Sequence, residues 1–270
     1  MVLIGTLLFG CGVCWGQTPA PFVLETPQES ILLGTGAALG VTALVLGAHV
    51  EPLTREAIDA LDIQDINSFD RGAVGPHRET PAGDALLAAS YAIPLSFLAG
   101  SETRRDWKRL AVMWTEAVFL QVGMNGIVKS TVQRTRPYVY DAATPLAEKT
   151  TVAARLSFYS GHTSQTATNC FFAARVFTAY ATSKTLKVLA WSGAAIYPAV
   201  TGYLRQDSGH HFRTDVITGY CIGALVGAFV PELHRVRGMQ QLHLAAIDGG
   251  MGLAVSFPWG EAATAGAPVP

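Results

Sequence analysis

Residues 31–50 read ILLGTGAALGVTALVLGAHV, twenty positions without a formal charge. A helix of that length crosses the hydrocarbon core of a bilayer. Five further apolar segments follow, at residues 85–100, 110–128, 163–183, 188–203 and 216–230. Several are short for a span or carry a charge, such as Arg175 in the fourth. The pattern therefore predicts an all-α bundle of about six helices embedded in a membrane, and leaves the number of crossings open. Glu116, Gln121 and Asn125 interrupt the third segment and are expected to face the bundle interior, because facing lipid would be costly.

Composition agrees with this reading. Of the 270 residues 50% are hydrophobic and only 14% charged, and 19 Lys plus Arg stand against 20 Asp plus Glu. A chain without a basic bias gives no reason to expect a nucleic-acid partner. Residues 1–16 are apolar and small and resemble a secretory leader or lipoprotein signal, but no Lys or Arg precedes the apolar run. Cys11 and Cys14 have redox or metal spacing without a second pair, and Cys170 and Cys221 lie in apolar segments, where a small buried thiol is the ordinary explanation.

The connections divide into two kinds. Residues 51–84 and 130–159 are long and polar, the first with room for a short amphipathic helix around residues 55–61. Residues 101–109 are short and carry Arg104, Arg105, Lys108 and Arg109, and Lys184 and Lys187 lie between the fourth and fifth segments. Beyond Pro231 the helical pattern stops, so residues 31–230 are read as the helical domain and 231–270 as a tail. Alternating runs around Asp248-Gly249-Gly250 within residues 241–257 predict a β-hairpin in that tail.

The reactive side chains cluster in this order of helices. Lys129 and Arg136-Pro137 follow the third segment, Ser160-Gly161-His162 precedes the fourth, Arg205 ends the fifth, and His211 and Asp215 open the sixth. If successive helices run antiparallel, all of these meet at one end of the bundle. Arg guanidinium matches phosphate oxygens in a fork, and Lys adds a point charge. Ser160 offers a hydroxyl, and Gly161 lets backbone N–H groups approach an anion at a helix start. With a helix starting near His211, Asp215 lies one turn on, where its carboxylate can hold one ring nitrogen protonated and leave the other free to attack. His162 is then the general acid and base. His162, His210 and His211 with Asp207 or Asp215 also form a candidate zinc set, but three converging cations would repel a dication. His210 is assigned to the loop or the substrate rim.

These residues resemble the type 2 phosphatidic acid phosphatase superfamily, which also includes bacterial class A acid phosphatases and vanadium haloperoxidases. The family motifs Lys-x6-Arg-Pro, Pro-Ser-Gly-His and Ser-Arg-x5-His-x3-Asp read here as Lys129-x6-Arg136-Pro137, Tyr159-Ser160-Gly161-His162 and Leu204-Arg205-x5-His211-x3-Asp215. Tyr159 and Leu204 depart from the pattern, and neither is a charged or nucleophilic position. The resemblance, over roughly residues 110–230, implies cofactor-free, metal-independent hydrolysis of a phosphomonoester or pyrophosphate through a phosphohistidine. His211 would be the nucleophile, His162 the acid/base, Asp215 the orienting group, and Lys129, Arg136, Ser160, Gly161 and Arg205 the phosphate ligands. Its membrane-bound members act on lipid phosphates, and the apolar segments favour that branch. Alternatives are a periplasmic acid phosphatase, a vanadium haloperoxidase or a non-catalytic anion-binding membrane protein.

The basic connectors lie at the end opposite these residues. The positive-inside tendency therefore puts the site outside the cytoplasm, in the periplasm or at the cell exterior. A cleaved leader with six crossings would place it inside. Either the first sixteen residues are not cleaved in that way, or some helices do not cross, as in a periplasmic bundle.

Overall fold

The computed structural model describes residues 20–236 and the strand backbones at 241–247 and 250–256. Cys11, Cys14 and the leader-like segment lie outside the described residues. Six long helices account for the six apolar segments. They are α1 (Thr26–Gly47), α2 (Pro81–Leu95), α3 (Trp107–Val132), α4 (Gly161–Tyr180), α5 (Lys184–Asp207) and α6 (Arg213–Leu233). Short helical turns such as Arg55–Asp59 and Ser68–Arg71 occupy the long polar connection before α2.

Among the described residues, α1, α2 with its 3-10 extension, α3 and α6 are long and apolar enough to cross a membrane. The helices α4 and α5 do not meet that standard, so the apolar pattern supports four spans rather than six. Large apolar side chains point outward, Leu44 of α1 at 77% and Leu225 of α6 at 68% exposure, as expected of surfaces that face lipid.

Close helix packing fixes the directions. A Cβ on Gly36, Gly123 or Gly126 would come within 2.8, 2.6 or 2.6 Å of Phe119, Leu39 or Ala43, which sets α1 and α3 side by side and parallel. Gly219, Gly223 and Gly227 lie one turn apart on α6 and pack against the carbonyls of Ser160, Ser164 and Thr168, so α6 runs parallel to α4. This is the small-residue contact that lets helix backbones approach in apolar surroundings. Consecutive helices therefore alternate in direction.

The polar residues of α3 turn inward as expected. Glu116 and Gln121 are buried. The Gln121 amide donates to Ser164 Oγ (2.7 Å) and Tyr159 Oη (3.3 Å), and Asn125 donates to the Tyr159 carbonyl (3.0 Å). In α4, Arg175 pairs with Glu232. The apolar core lies toward the other end, around Phe22, Met113, Phe172 and Val176.

Strands β1 (Gln241–Ile247) and β2 (Gly250–Ser256) pair antiparallel, with Leu244 opposite Leu253 and Ile247 opposite Gly250. This is the hairpin expected around Asp248-Gly249-Gly250.

Candidate active site

The expected residues all lie at the end of the bundle formed by the C-termini of α3 and α5 and the N-termini of α4 and α6. Two local features differ from the sequence reading. The helix α6 starts at Arg213, so His211 precedes the Phe212 N-cap rather than occupying a helical turn. Its proximity to Asp215 comes from the capping turn: Asp215, the third helical residue, accepts the Phe212 N–H at 2.9 Å. The helix α4 starts at Gly161 instead of Thr163. Ser160 caps it through its Oγ, which accepts from the Thr163 N–H (3.4 Å), placing His162 in the first turn.

His211 is 1% exposed, and its Nδ1 lies 3.7 Å from Asp215 Oδ2, beyond hydrogen-bond distance and without another partner. In unliganded sites such contacts are often long and tighten only when substrate is bound. Burial holds the His211 ring well below the usual imidazole range, and the charges of Arg136, Lys129 and Arg205 push the same way. A neutral ring is the form that can act as a nucleophile.

The three cations are fixed largely by backbone carbonyls. Lys129 Nζ donates to Leu156 O (2.7 Å), and Arg136 donates to Ala153 O (2.7 Å) and His210 O (3.2 Å). Arg205 donates to Thr80 Oγ1 (2.6 Å) and Asp84 Oδ1 (3.3 Å), while its buried Nε has no partner. Carbonyl partners position a cation without pairing it to a carboxylate, which leaves these groups of Lys129 and Arg136 available to an anion. At Gly161 a Cβ would come 2.9 Å from Asn125 Oδ1, so a larger residue there would displace the Asn125 amide.

Four side chains absent from the sequence reading complete the arrangement. Asp84, in the first turn of α2, accepts a hydrogen bond from His162 Nε2 at 2.8 Å. Burial and the Arg205 charge lower the His162 pKa, and Asp84 opposes them. Arg134 bridges two fully buried carboxylates, with Nη1 2.5 Å from Asp215 Oδ1 and Nη2 2.8 Å from Asp70 Oδ2. Its guanidinium also lies 4.0 Å over the Phe212 ring. Ser157 donates to Asp215 Oδ2 at 2.5 Å. The sequence showed Arg134 only as the first arginine of Arg134-Thr135-Arg136, and nothing local joined it to Asp70, 64 residues earlier.

His210 does not join His211. Its Nδ1 lies 2.8 Å from Ser208 Oγ and its Nε2 3.2 Å from His77 Nε2, with His77 in turn bonded to Glu148. That agrees with a rim position. Among the described residues, the group spaced to hold a metal is not His162, His210 and His211 but Glu29, Glu116 and His234, at the far end.

Residues 110–239 match the model of the PAP2 superfamily. No curated protein matches the chain. Among solved structures, the crystal structure of the first transmembrane PAP2 type phosphatidylglycerolphosphate phosphatase from Bacillus subtilis aligns with 73% of this chain and 94% of that one. Its TM-score is 0.43 and its identity 19%, a level of likeness that adds nothing further. The matched residues run through α3 to α6 and contain Lys129, Arg136, Ser160, Gly161, His162, Arg205, His211 and Asp215, so this part of the chain is similar to the PAP2 superfamily.

Proposed function

We propose that the protein is a multi-pass membrane enzyme that hydrolyses a lipid phosphomonoester or pyrophosphate without a metal, through a phosphohistidine. The observation that carries this reading is a buried His211 close to the charges of Arg136, Lys129 and Arg205. A cleft of about 310 Å³ between α2, α3 and α4 supports a lipid substrate. It runs beside Gly161 and is lined by Leu87, Tyr91, Gln121, Val122 and Asn125. Val122 is 52% exposed on the apolar outer face, which gives an acyl chain a lateral approach to the site.

In the proposed reaction the phosphoryl group sits among Lys129, Arg136 and Arg205, with the Ser160 hydroxyl and the N–H groups of the first turn of α4 beside it. His211 Nε2 forms a bond to phosphorus as the bond to the leaving oxygen breaks. His162 gives its proton to that oxygen, so the alcohol or phosphate departs neutralised by one proton. Water then attacks the phosphohistidine while His162 takes a water proton, releasing phosphate and restoring both rings. The cations stabilise the equatorial oxygens in both transition states, and Asp215 stabilises charge on the His211 ring. Because three cations already serve the anion, a divalent ion has no favourable place among them.

Orientation follows from the basic connectors. Arg104, Arg105, Lys108, Arg109, Lys184 and Lys187 lie at the opposite end, which supports a site on the non-cytoplasmic side. The test is phosphate release from a panel of lipid phosphates and soluble esters in EDTA, with His211→Ala and His162→Ala alongside. The expected result is EDTA-insensitive, vanadate-blocked hydrolysis favouring lipid esters and lost in His211→Ala. Unchanged release in both variants would overturn the mechanism. Preference for soluble esters would support the periplasmic acid phosphatase instead, and halide-dependent peroxide turnover with vanadate would support the haloperoxidase.

A further inference from the structure

A second cluster of titratable side chains lies at the end of the bundle away from His211. Glu29 comes from the first turn of α1, Glu116 from α3, and His234 from the residue after α6. Glu116 and His234 are fully buried, and the Glu29 side chain is 13% exposed.

The geometry is that of a ligand set. His234 Nδ1 lies 2.8 Å from the Val230 carbonyl, so that nitrogen carries hydrogen and donates to it. Such a bond to a backbone oxygen is the usual way a metal-binding imidazole is oriented. The other nitrogen, Nε2, lies 3.1 Å from Glu29 Oε2 and 3.1 Å from Glu116 Oε2. One ligand atom from each residue falls within 4.8 Å of the other two. In a tetrahedral site with bonds of about 2.0–2.1 Å, neighbouring ligand atoms are about 3.3 Å apart. Glu29 Oε1 accepts the Glu25 N–H at 2.8 Å, which holds that carboxylate with Oε2 turned inward.

A further feature bears on the charge of this cluster. Of the buried Glu116 carboxylate, Oε1 has no hydrogen-bond partner and Oε2 has only the 3.1 Å contact with His234 Nε2. A buried carboxylate without donors is strongly unfavourable unless a positive charge reaches it. Arg175 and Arg235 pair with Glu232, and among the described residues no Lys or Arg pairs with Glu29 or Glu116. With the imidazole neutral, as metal binding requires, the two carboxylates carry two negative charges, which a divalent ion cancels.

We propose that Glu29, Glu116 and His234 bind a divalent transition metal, with zinc best suited to one imidazole and two carboxylates. The ion would tie together the ends of α1, α3 and α6. The chain is already strapped there by Val23 N–H donating to His234 O (2.8 Å) and Val236 N–H donating to Pro21 O (3.2 Å). Its role is structural, because the phosphoryl site lies at the other end.

The test uses the full chain, purified in detergent without chelator from zinc-supplemented cells. Elemental analysis should find about one zinc per chain. Glu116→Gln and His234→Ala should lose it, while Cys11→Ser/Cys14→Ser keeps it. EDTA should lower the melting temperature of the wild type, and zinc should restore it, with phosphate release at assay temperature unchanged. That last readout separates this site from the metal-free mechanism, since EDTA-sensitive hydrolysis would count against the latter alone. Should the buried variants fail to fold, Glu29→Gln at the edge of the cluster supplies the same comparison. Wild-type protein that holds no zinc and shows no melting shift on zinc addition overturns the proposal, leaving an imidazolium shared between two carboxylates.

Discussion

Replacing Arg134 with Gln separates two buried carboxylates from the one guanidinium they share. Arg134 donates to Asp215 Oδ1, Thr214 Oγ1 and Asp70 Oδ2 at 2.5, 2.7 and 2.8 Å, and both carboxylates are 0% exposed. Breaking one side of a buried ion pair costs about 3–5 kcal/mol, because the remaining charge is left uncompensated. Two features reduce the cost here. Arg134 is itself 24% exposed, and each carboxylate keeps other donors, Ser157 and Phe212 N–H for Asp215, Thr214 and Asn67 for Asp70. We therefore expect a loss of about 3 kcal/mol, the low end of that range.

Activity should fall as well, because in the proposed mechanism Asp215 acts on His211. Misplacing such a group costs about tenfold to a hundredfold in kcat, with KM less affected. Arg134→Lys should rescue little, since a single ammonium cannot bridge two carboxylates through parallel N–H bonds. Adding Asp70→Asn to Arg134→Gln should recover part of the stability and none of the activity, since only the Asp215 contact bears on His211. Thermal unfolding in detergent and phosphate release as a function of substrate give both readouts. If Arg134→Gln melts with the wild type and keeps its kcat, the bridge does not hold the site and the reasoning fails.

His162→Ala should lower the rate by about 10²–10⁴, the usual worth of a general acid, measured as kcat on the best substrate of the panel. In the proposed reaction His162 must be protonated to release the leaving group, and Asp84 opposes the burial and Arg205 charge that lower its pKa. Asp84→Asn should therefore move the alkaline limb of kcat/KM to lower pH, and a shift to higher pH would show that the contact does not act this way. At Asp70, burial pushes the carboxyl pKa up, but hydrogen bonds from Arg134, Thr214 and Asn67 outweigh it and hold it at about 2. Its stabilising contribution is full above about pH 4 and lost as pH falls toward about 2, so acid unfolding of Asp70→Asn should show a shallower pH dependence in that window. Gly223→Ala would place a Cβ 2.0 Å from Ser164 O and force α4 and α6 apart, costing about 1–3 kcal/mol in melting experiments. Gly34→Ala meets nothing within 4 Å and should stabilise by up to about 1 kcal/mol through helix propensity.

The sequence by itself determined the helices and the chemical inventory. Runs without charge, such as residues 31–50, have no other stable form in an apolar setting, and the order of Lys129, Arg136, His162, Arg205 and His211 along alternating helices required that they meet at one end. It also located the hairpin, since alternation around Asp-Gly-Gly is a local signal. Helix starts were less legible: Ser160 and Phe212 cap α4 and α6 through contacts that apolar periodicity does not report. Only the tertiary structure decided how the reactive groups are held. Asp84 reaches His162 across 78 residues, Arg134 joins Asp70 to Asp215, and Glu29 meets His234 across 205. Charge pairings at that separation leave no period or spacing in the chain. They exist because helix packing, close where the Gly219, Gly223 and Gly227 face meets α4 and where α1 meets α3, brings distant parts of the chain to the same ends of the bundle.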